Sequence, residues 1–120
     1  MTQAVVGEIK TFTALIASGQ ATSSGFFGQG YQHMNVVAPL MTSAWLGLIG
    51  EFTGTPKTFL PFVNNAGAQV TGFTPGGTGG AVVDSQAAWL LAAKGFNGEM
   101  RISAGANQTA DRSFIVQLKG

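Results

Sequence analysis

Short runs in which every second residue is apolar place the strongest constraint on how this chain folds. In the last of these runs, Phe114, Val116 and Leu118 alternate with four residues of which three are polar: Ser113, Ile115, Gln117 and Lys119. This period of two is typical of a β-strand that is buried on one face. Residues 99–104 and 34–38 repeat the pattern, so we predict strands at all three places, with a polar loop over 105–111.

Two further segments favour strands on other grounds. Leu46 and Leu48 share one face with Phe52, while Trp45 and Ile49 lie on the other, which predicts a central strand covered on both faces. Residues 58–63 are rich in β-forming residues but contain Pro61. Because proline cannot donate a hydrogen bond to a sheet, this segment is predicted to be an edge strand or a bulge.

The sequence next predicts a hairpin turn. Asn64-Asn65-Ala66-Gly67 supplies residues that tolerate a left-handed backbone, and it leads into residues 68–73. Pro39 likewise ends the strand over 34–38, because proline has no amide hydrogen.

Two segments leave a choice between helix and strand. Near the N-terminus, apolar residues recur at helical spacing at Val5, Ile9, Phe12 and Ile16. Several neighbours are β-branched and Gly7 interrupts the run, so we favour an arm that leads into a strand. Residues 86–93 have good helix propensity and predict a short helical turn. The glycine-rich residues 75–80 predict a flexible loop.

The length of 120 residues suits a single domain with one core. About seven to nine short strands separated by glycine-containing turns predict an all-β fold, an antiparallel β-sandwich or jelly roll with at most one short helical turn. We assign residues 1–14 to an N-terminal arm or first strand, and residues 15–120 to the sandwich domain.

Charge is sparse along the chain. Charged residues make up 9% of the sequence and the net charge is +1. Binding of nucleic acid needs a clustered basic face, so we expect no nucleic-acid partner. The start lacks the pattern of a secretory signal, and the longest apolar runs fall far short of the roughly 20 residues that span a bilayer, so we expect no membrane partner. With a mean hydropathy of +0.26, so few charges favour a subunit of an assembly.

The residue types on which most catalysis and metal binding depend are nearly missing from the sequence. There is no cysteine, and His33 is the single histidine. A metal site at His33 would need partners among five acidic residues, and no serine lies in a Gly-x-Ser-x-Gly motif. Residues 76–80 lack the lysine of a phosphate-binding loop. We therefore expect no enzyme activity, no catalytic residues, no metal and no cofactor.

Several short motifs resemble, in their order along the chain, the small all-β virion proteins of tailed bacteriophages. They are SGQATS at residues 18–23, Pro39 closing an apolar strand with Trp45 shortly after, RISAG at 101–105 and ADRSF at 110–114. The resemblance covers about Leu15 to Lys119. The chain departs from the family pattern after the Trp45 strand. Members of the family usually carry a Ser-x-Asp-Gly turn followed by tyrosine there, whereas residues 51–57 of this chain do not match that turn.

The resemblance implies a galactose-binding-like jelly roll and a role in the virion. Members of that family are capsid decoration (cement) proteins or other head and tail accessory proteins. The partner would be the major capsid protein, the protein would be a homo-oligomer, and it would lie on the outer surface of the capsid. Val5, Val6 and Ile9 are the partner-binding candidates, because an apolar arm can add a strand to the edge of a neighbour's sheet.

The alternative is a virion module, such as a head fibre or tail accessory protein, that binds carbohydrate or the host surface. Jelly rolls of this type present ligands at loops on one end. The candidates for stacking on a sugar or hydrogen bonding to it are Tyr31, His33, Trp45 and Trp89. Packing in a core or interface competes with this interpretation for each, since phenylalanine greatly outnumbers tyrosine and tryptophan.

Overall fold

The computed structural model describes residues 9–28, 31–42, 45–52, 58–72, 81–83, 87–94 and 96–120. Within these ranges it contains eight strands and one short helix. They are β1 (Ile9–Ile16), β2 (Thr22–Phe27), β3 (His33–Ala38), β4 (Leu46–Phe52), β5 (Thr58–Pro61), β6 (Ala81–Val83), α1 (Ala88–Leu91), β7 (Glu99–Ala104) and β8 (Arg112–Lys119). The predicted all-β class with one short helical turn is confirmed.

The strands form two antiparallel four-stranded sheets. Sheet A has the order β1-β8-β3-β6, and sheet B has the order β2-β7-β4-β5. The pairs are nested along the chain: β1 pairs with β8, β2 with β7, β3 with β6, and β4 with β5. A long hairpin rolled up into two layers produces this nesting, which is the jelly-roll arrangement. The predicted antiparallel sandwich is therefore confirmed.

The hydrophobic core is built from the alternating side chains of the strands. Phe114 and Val116 of β8 are fully buried, as are Met100 and Ile102 of β7, and Val36 of β3. Each lies on the face that the period of two had predicted to be buried. The loop over 105–111 links β7 in sheet B to β8 in sheet A, so it crosses between the layers instead of closing a hairpin.

Sheet B confirms the predictions for its last two strands. β4 lies between β7 and β5, so it is central, and β5 with its Pro61 is an edge strand. The predicted turn follows: Asn64 N–H donates to the carbonyl of Ala68 at 2.9 Å, and Gly67 N–H donates to the carbonyl of Asn64 at 2.9 Å. Gly67 has φ +81°, a left-handed conformation that favours glycine.

The N-terminal part of the sandwich begins earlier than residue 15. β1 starts at Ile9 and pairs residue by residue with β8, from Ile9 opposite Lys119 to Ile16 opposite Arg112. Residues 9–14 therefore belong to the sandwich as its first strand, and the boundary drawn after residue 14 falls inside β1. The remainder of the proposed arm, residues 1–8, and the glycine-rich residues 75–80 lie outside the described residues.

A buried glutamine joins the loops that follow β1, β3 and β7. The Gln108 Oε1 atom accepts hydrogen bonds from Thr42 N–H at 2.9 Å and from Arg112 Nε at 3.3 Å. Its Nε2 atom donates to the carbonyl of Ala106 at 3.0 Å, and its own carbonyl accepts from Gly19 N–H at 2.7 Å. Because a buried amide is costly unless it is bonded, these contacts fix the three loops relative to one another.

Replacement of Gln108 by methionine tests this loop junction. Gln108→Met keeps the side-chain volume but removes the acceptor for Thr42 and Arg112, so the free energy of unfolding should fall by about 2 kcal/mol in urea denaturation. Gln117→Met, at an exposed position of β8, is the control and should change it by less than about 0.5 kcal/mol. Equal losses in the two variants would contradict the role of Gln108.

Candidate functional site

Exposed apolar side chains line up across the outer face of sheet A. Ile115 of β8 lies opposite Val37 of β3, and Val37 lies opposite Val82 of β6. Ile115 is 42% exposed and Val82 is 68% exposed, while Val37 is half-buried. We call these three residues the apolar row. Thr13 of β1 continues the row on the far side of Ile115.

The alternation of side chains along a strand explains why the apolar row faces outward. Side chains of a strand alternate between its two faces. Phe114 and Val116 point into the core, so Ile115 between them must point out. Val37 lies in the same way between buried Val36 and Ala38. The sequence signal for the row was the apolar Ile115 and Val37 at positions where the alternation calls for polar residues, and sequence analysis did not recognise it.

A groove of about 260 Å³ lies on the same side, where β1 and β3 begin and β8 ends. Its lining residues come from three neighbouring strands: Ile9, His33, Asn35, Gln117, Leu118 and Lys119. Ile9 and His33 both lie opposite Lys119, and Asn35 lies opposite Gln117. We call this the end groove. It combines two basic side chains, two amides and an exposed isoleucine.

The charge on this surface has one sign. Among the outward-facing residues of sheet A that the structure describes, none is an aspartate or a glutamate. Lys119, with His33 beside it, therefore makes one end of the face basic, while the apolar row crosses its middle. Such a face can bind a protein surface that offers apolar side chains with a carboxylate beside them.

The outer face of sheet B has a different character. Arg101 of β7 bonds to Glu99 of the same strand, with 3.3 Å between Nε and Oε2. The Arg101 guanidinium also lies 4.3 Å from the centre of the Phe59 ring on β5. The charge of Arg101 is therefore engaged by neighbours within its own sheet.

The structure does not bring the four glycan-binding candidates together. Tyr31 is 3% exposed and Trp89 is 2% exposed, and both belong to the core, so neither ring face can stack on a sugar. His33 is exposed where β3 begins, whereas half-buried Trp45 lies beyond the loop at the other end of β3. These two residues are at opposite ends of the sandwich. The sequence pattern did not distinguish buried from exposed aromatic residues, because burial depends on strand pairing.

The structure describes one of the three partner-binding candidates. Ile9 is exposed at the free edge of sheet A and lines the end groove. Val5 and Val6 lie outside the described residues. Ile9 therefore lies on the same face as the apolar row.

Tyr31 is a packing residue with an unusual hydroxyl. Its hydroxyl is buried, and no hydrogen-bond partner for it is found among the described residues. Burial raises the pKa of the Tyr31 phenol well above its ordinary range, because the charged phenolate would lose its hydration. Gly28 allows the close approach of the ring, since a Cβ atom at residue 28 would lie 2.6 Å from Tyr31 Cε1.

Within the described ranges, no group of three or more histidine, aspartate or glutamate side chains is arranged to hold a metal ion. Among the same residues, no helix has the length and apolar character needed to cross a bilayer.

Comparison of the chain with family models, with curated protein sequences and with solved structures gives no significant match.

The ionisation of Tyr31 can be followed directly. Since the chain has a single tyrosine, phenolate absorbance in the ultraviolet reports this group alone. The urea-unfolded chain should titrate near the ordinary pKa of about 10, and the folded protein only at higher pH. Because the folded pKa is the higher one, stability is retained below about pH 10 and falls as the pH rises above it. Tyr31→Phe should remove this part of the loss of stability at alkaline pH. Titration of the folded protein near pH 10 would contradict the burial of the Tyr31 hydroxyl.

Proposed function

We propose that the protein is a structural protein of a tailed-bacteriophage virion. It decorates the outer surface of the capsid, where it binds the major capsid protein and stabilises the shell. The apolar row on the outer face of sheet A carries this proposal. Contiguous apolar side chains on a rigid sheet are costly to expose to water, and their burial against another protein relieves that cost.

The shape of this face suits binding to a protein surface. Ile115, Val37 and Val82 are held in register by three strands, so few side-chain conformations are lost when a partner covers them. The basic end groove lies on the same side and adds a preference for an acidic neighbour. Together they favour a partner with an apolar patch that is flanked by carboxylates.

The resemblance of the motifs supports the major capsid protein as that partner. Cement proteins of the family it points to cover the joints between capsid subunits, and the low charge of this chain agrees with a permanently assembled subunit. Each contact can be weak, because a homo-oligomer that touches several capsid proteins gains from effective concentration. Val5, Val6 and Ile9 remain the candidates for an additional contact by the N-terminal residues.

Capsid binding by surface variants tests this function. Heads are purified from a phage in which the gene for this chain is deleted, and the protein is added back before sedimentation. Wild-type protein should co-sediment with the heads. Ile115→Asp should bind at least about tenfold more weakly, because a carboxylate would be buried against the partner. Leu60→Asp is the matched control, since Leu60 is 51% exposed on β5 of the other sheet, and it should bind like the wild type.

Two results would count against the proposal. Immunogold labelling confined to the tail would exclude decoration of the capsid. Equal binding by Ile115→Asp and Leu60→Asp would show that the outer face of sheet A is not the interface.

Carbohydrate or host-surface binding is the second candidate, and one observation favours it. Asn35 and Gln117 lie opposite each other in the end groove, where their amides could hydrogen-bond to sugar hydroxyl groups. With Tyr31 and Trp89 buried, stacking by these two rings is not available to support it. Glycan-array binding that is lost in Asn35→Ala and retained in Ile115→Asp would favour this function over decoration.

A further inference from the structure

The free edge of β1 differs from the other three sheet edges. β5 contains Pro61, β2 has a register shift between Thr22 and Gly25, and β6 is three residues long. Proline, bulges and short length all discourage the addition of another strand. β1 has none of these features: it is eight residues long, regular, and free of proline and glycine.

The hydrogen-bonding groups on this edge can be assigned from one contact. Leu15 N–H donates to Ser24 Oγ on β2 at 3.1 Å, so it points away from β8. Peptide groups of a strand alternate between its two sides, so those of Ile9, Thr11 and Thr13 point the same way as that of Leu15. No partner for these three is found on that side among the described residues. Within the part of the chain that the structure describes, residues 9–13 therefore form an unpaired strand edge.

We propose that this edge pairs with β1 of a second copy of the chain, antiparallel, about a two-fold axis at Thr11. Sheet A of one protomer and sheet A of its partner would then form one continuous sheet. This pairing rests on the homo-oligomer in the proposed function and names the strand that forms it.

The sequence of β1 is self-complementary in this register. Thr11 faces the partner's Thr11, and Thr–Thr pairs are favourable across antiparallel strands. Ile9 faces the partner's Thr13, and Lys10 faces the partner's Phe12, where an ammonium group can lie over an aromatic ring. Lys10 does not face the partner's Lys10, so no like charges are opposed. These pairings favour a second copy over an unrelated strand.

The joined sheet would present both apolar rows on the same side. A two-fold axis perpendicular to a sheet keeps the outward faces of the two copies together. A dimer therefore offers two equivalent docking faces, and simultaneous contact with two capsid proteins would strengthen binding.

Charge-swapped variants at Thr11 test the pairing. Analytical ultracentrifugation of the wild type should give twice the 12.3 kDa mass of the chain. Thr11→Lys alone and Thr11→Glu alone should each give the mass of one chain, because like charges would meet at the axis. An equal mixture of the two should regain the doubled mass. Thr13→Lys is the control: it adds the same charge opposite the partner's Ile9 and should remain dimeric.

Thr11→Pro provides a second variant, because it removes an N–H group that points to the free edge and takes no bond from the pairing with β8. It should also give the mass of one chain, with the circular dichroism of the wild type. A monomeric wild type, a mixture that stays monomeric, or equal effects of Thr11→Lys and Thr13→Lys would overturn the inference. Since no capsid enters the measurement, its outcome is independent of capsid binding.

Discussion

The antiparallel pairing of the first and last strands is the interaction on which the rest of this structure depends. β1 and β8 are aligned along their full lengths, and every other nested pair lies between them along the chain. β8 is flanked by β1 and β3, and it carries Phe114, Val116 and Leu118 into the core. Bringing the two ends of the chain together is entropically costly, so the apolar area buried along β8 must offset that cost.

The same pairing decides what the surface can do. Once β8 is fixed between β1 and β3, its outward residues are aligned with those of both neighbours. Ile115 then meets Val37, and Lys119 lies between Ile9 and His33. The apolar row and the end groove thus arise from the register that also builds the core. The aromatic side chains of Tyr31 and Trp89, by contrast, are buried in the core and do not reach the surface.

Local patterns in the sequence identified many of the elements but not their partners. The period of two located β3, β7 and β8 with their buried faces, and Pro61 marked an edge strand because its missing N–H is a local property. The helical spacing of Phe12 and Ile16 made the start ambiguous, and pairing with β8 settled it in favour of a strand. Val37 and Ile115 are apolar at positions where the alternation calls for polar residues, but their alignment with Val82 could not be predicted, because the three residues are far apart in sequence and meet through register alone.

The proposed interface with the capsid is the outer face of sheet A. The chain has no cysteine, so single cysteines can be introduced at Ile115 and, as a control, at Leu60, and labelled with a maleimide on free protein and on decorated capsids. Both positions should react in the free protein, since both side chains are exposed. On capsids, the cysteine of Ile115→Cys should be protected while that of Leu60→Cys still reacts. Equal labelling of the two on capsids, or protection at Leu60→Cys alone, would contradict the account.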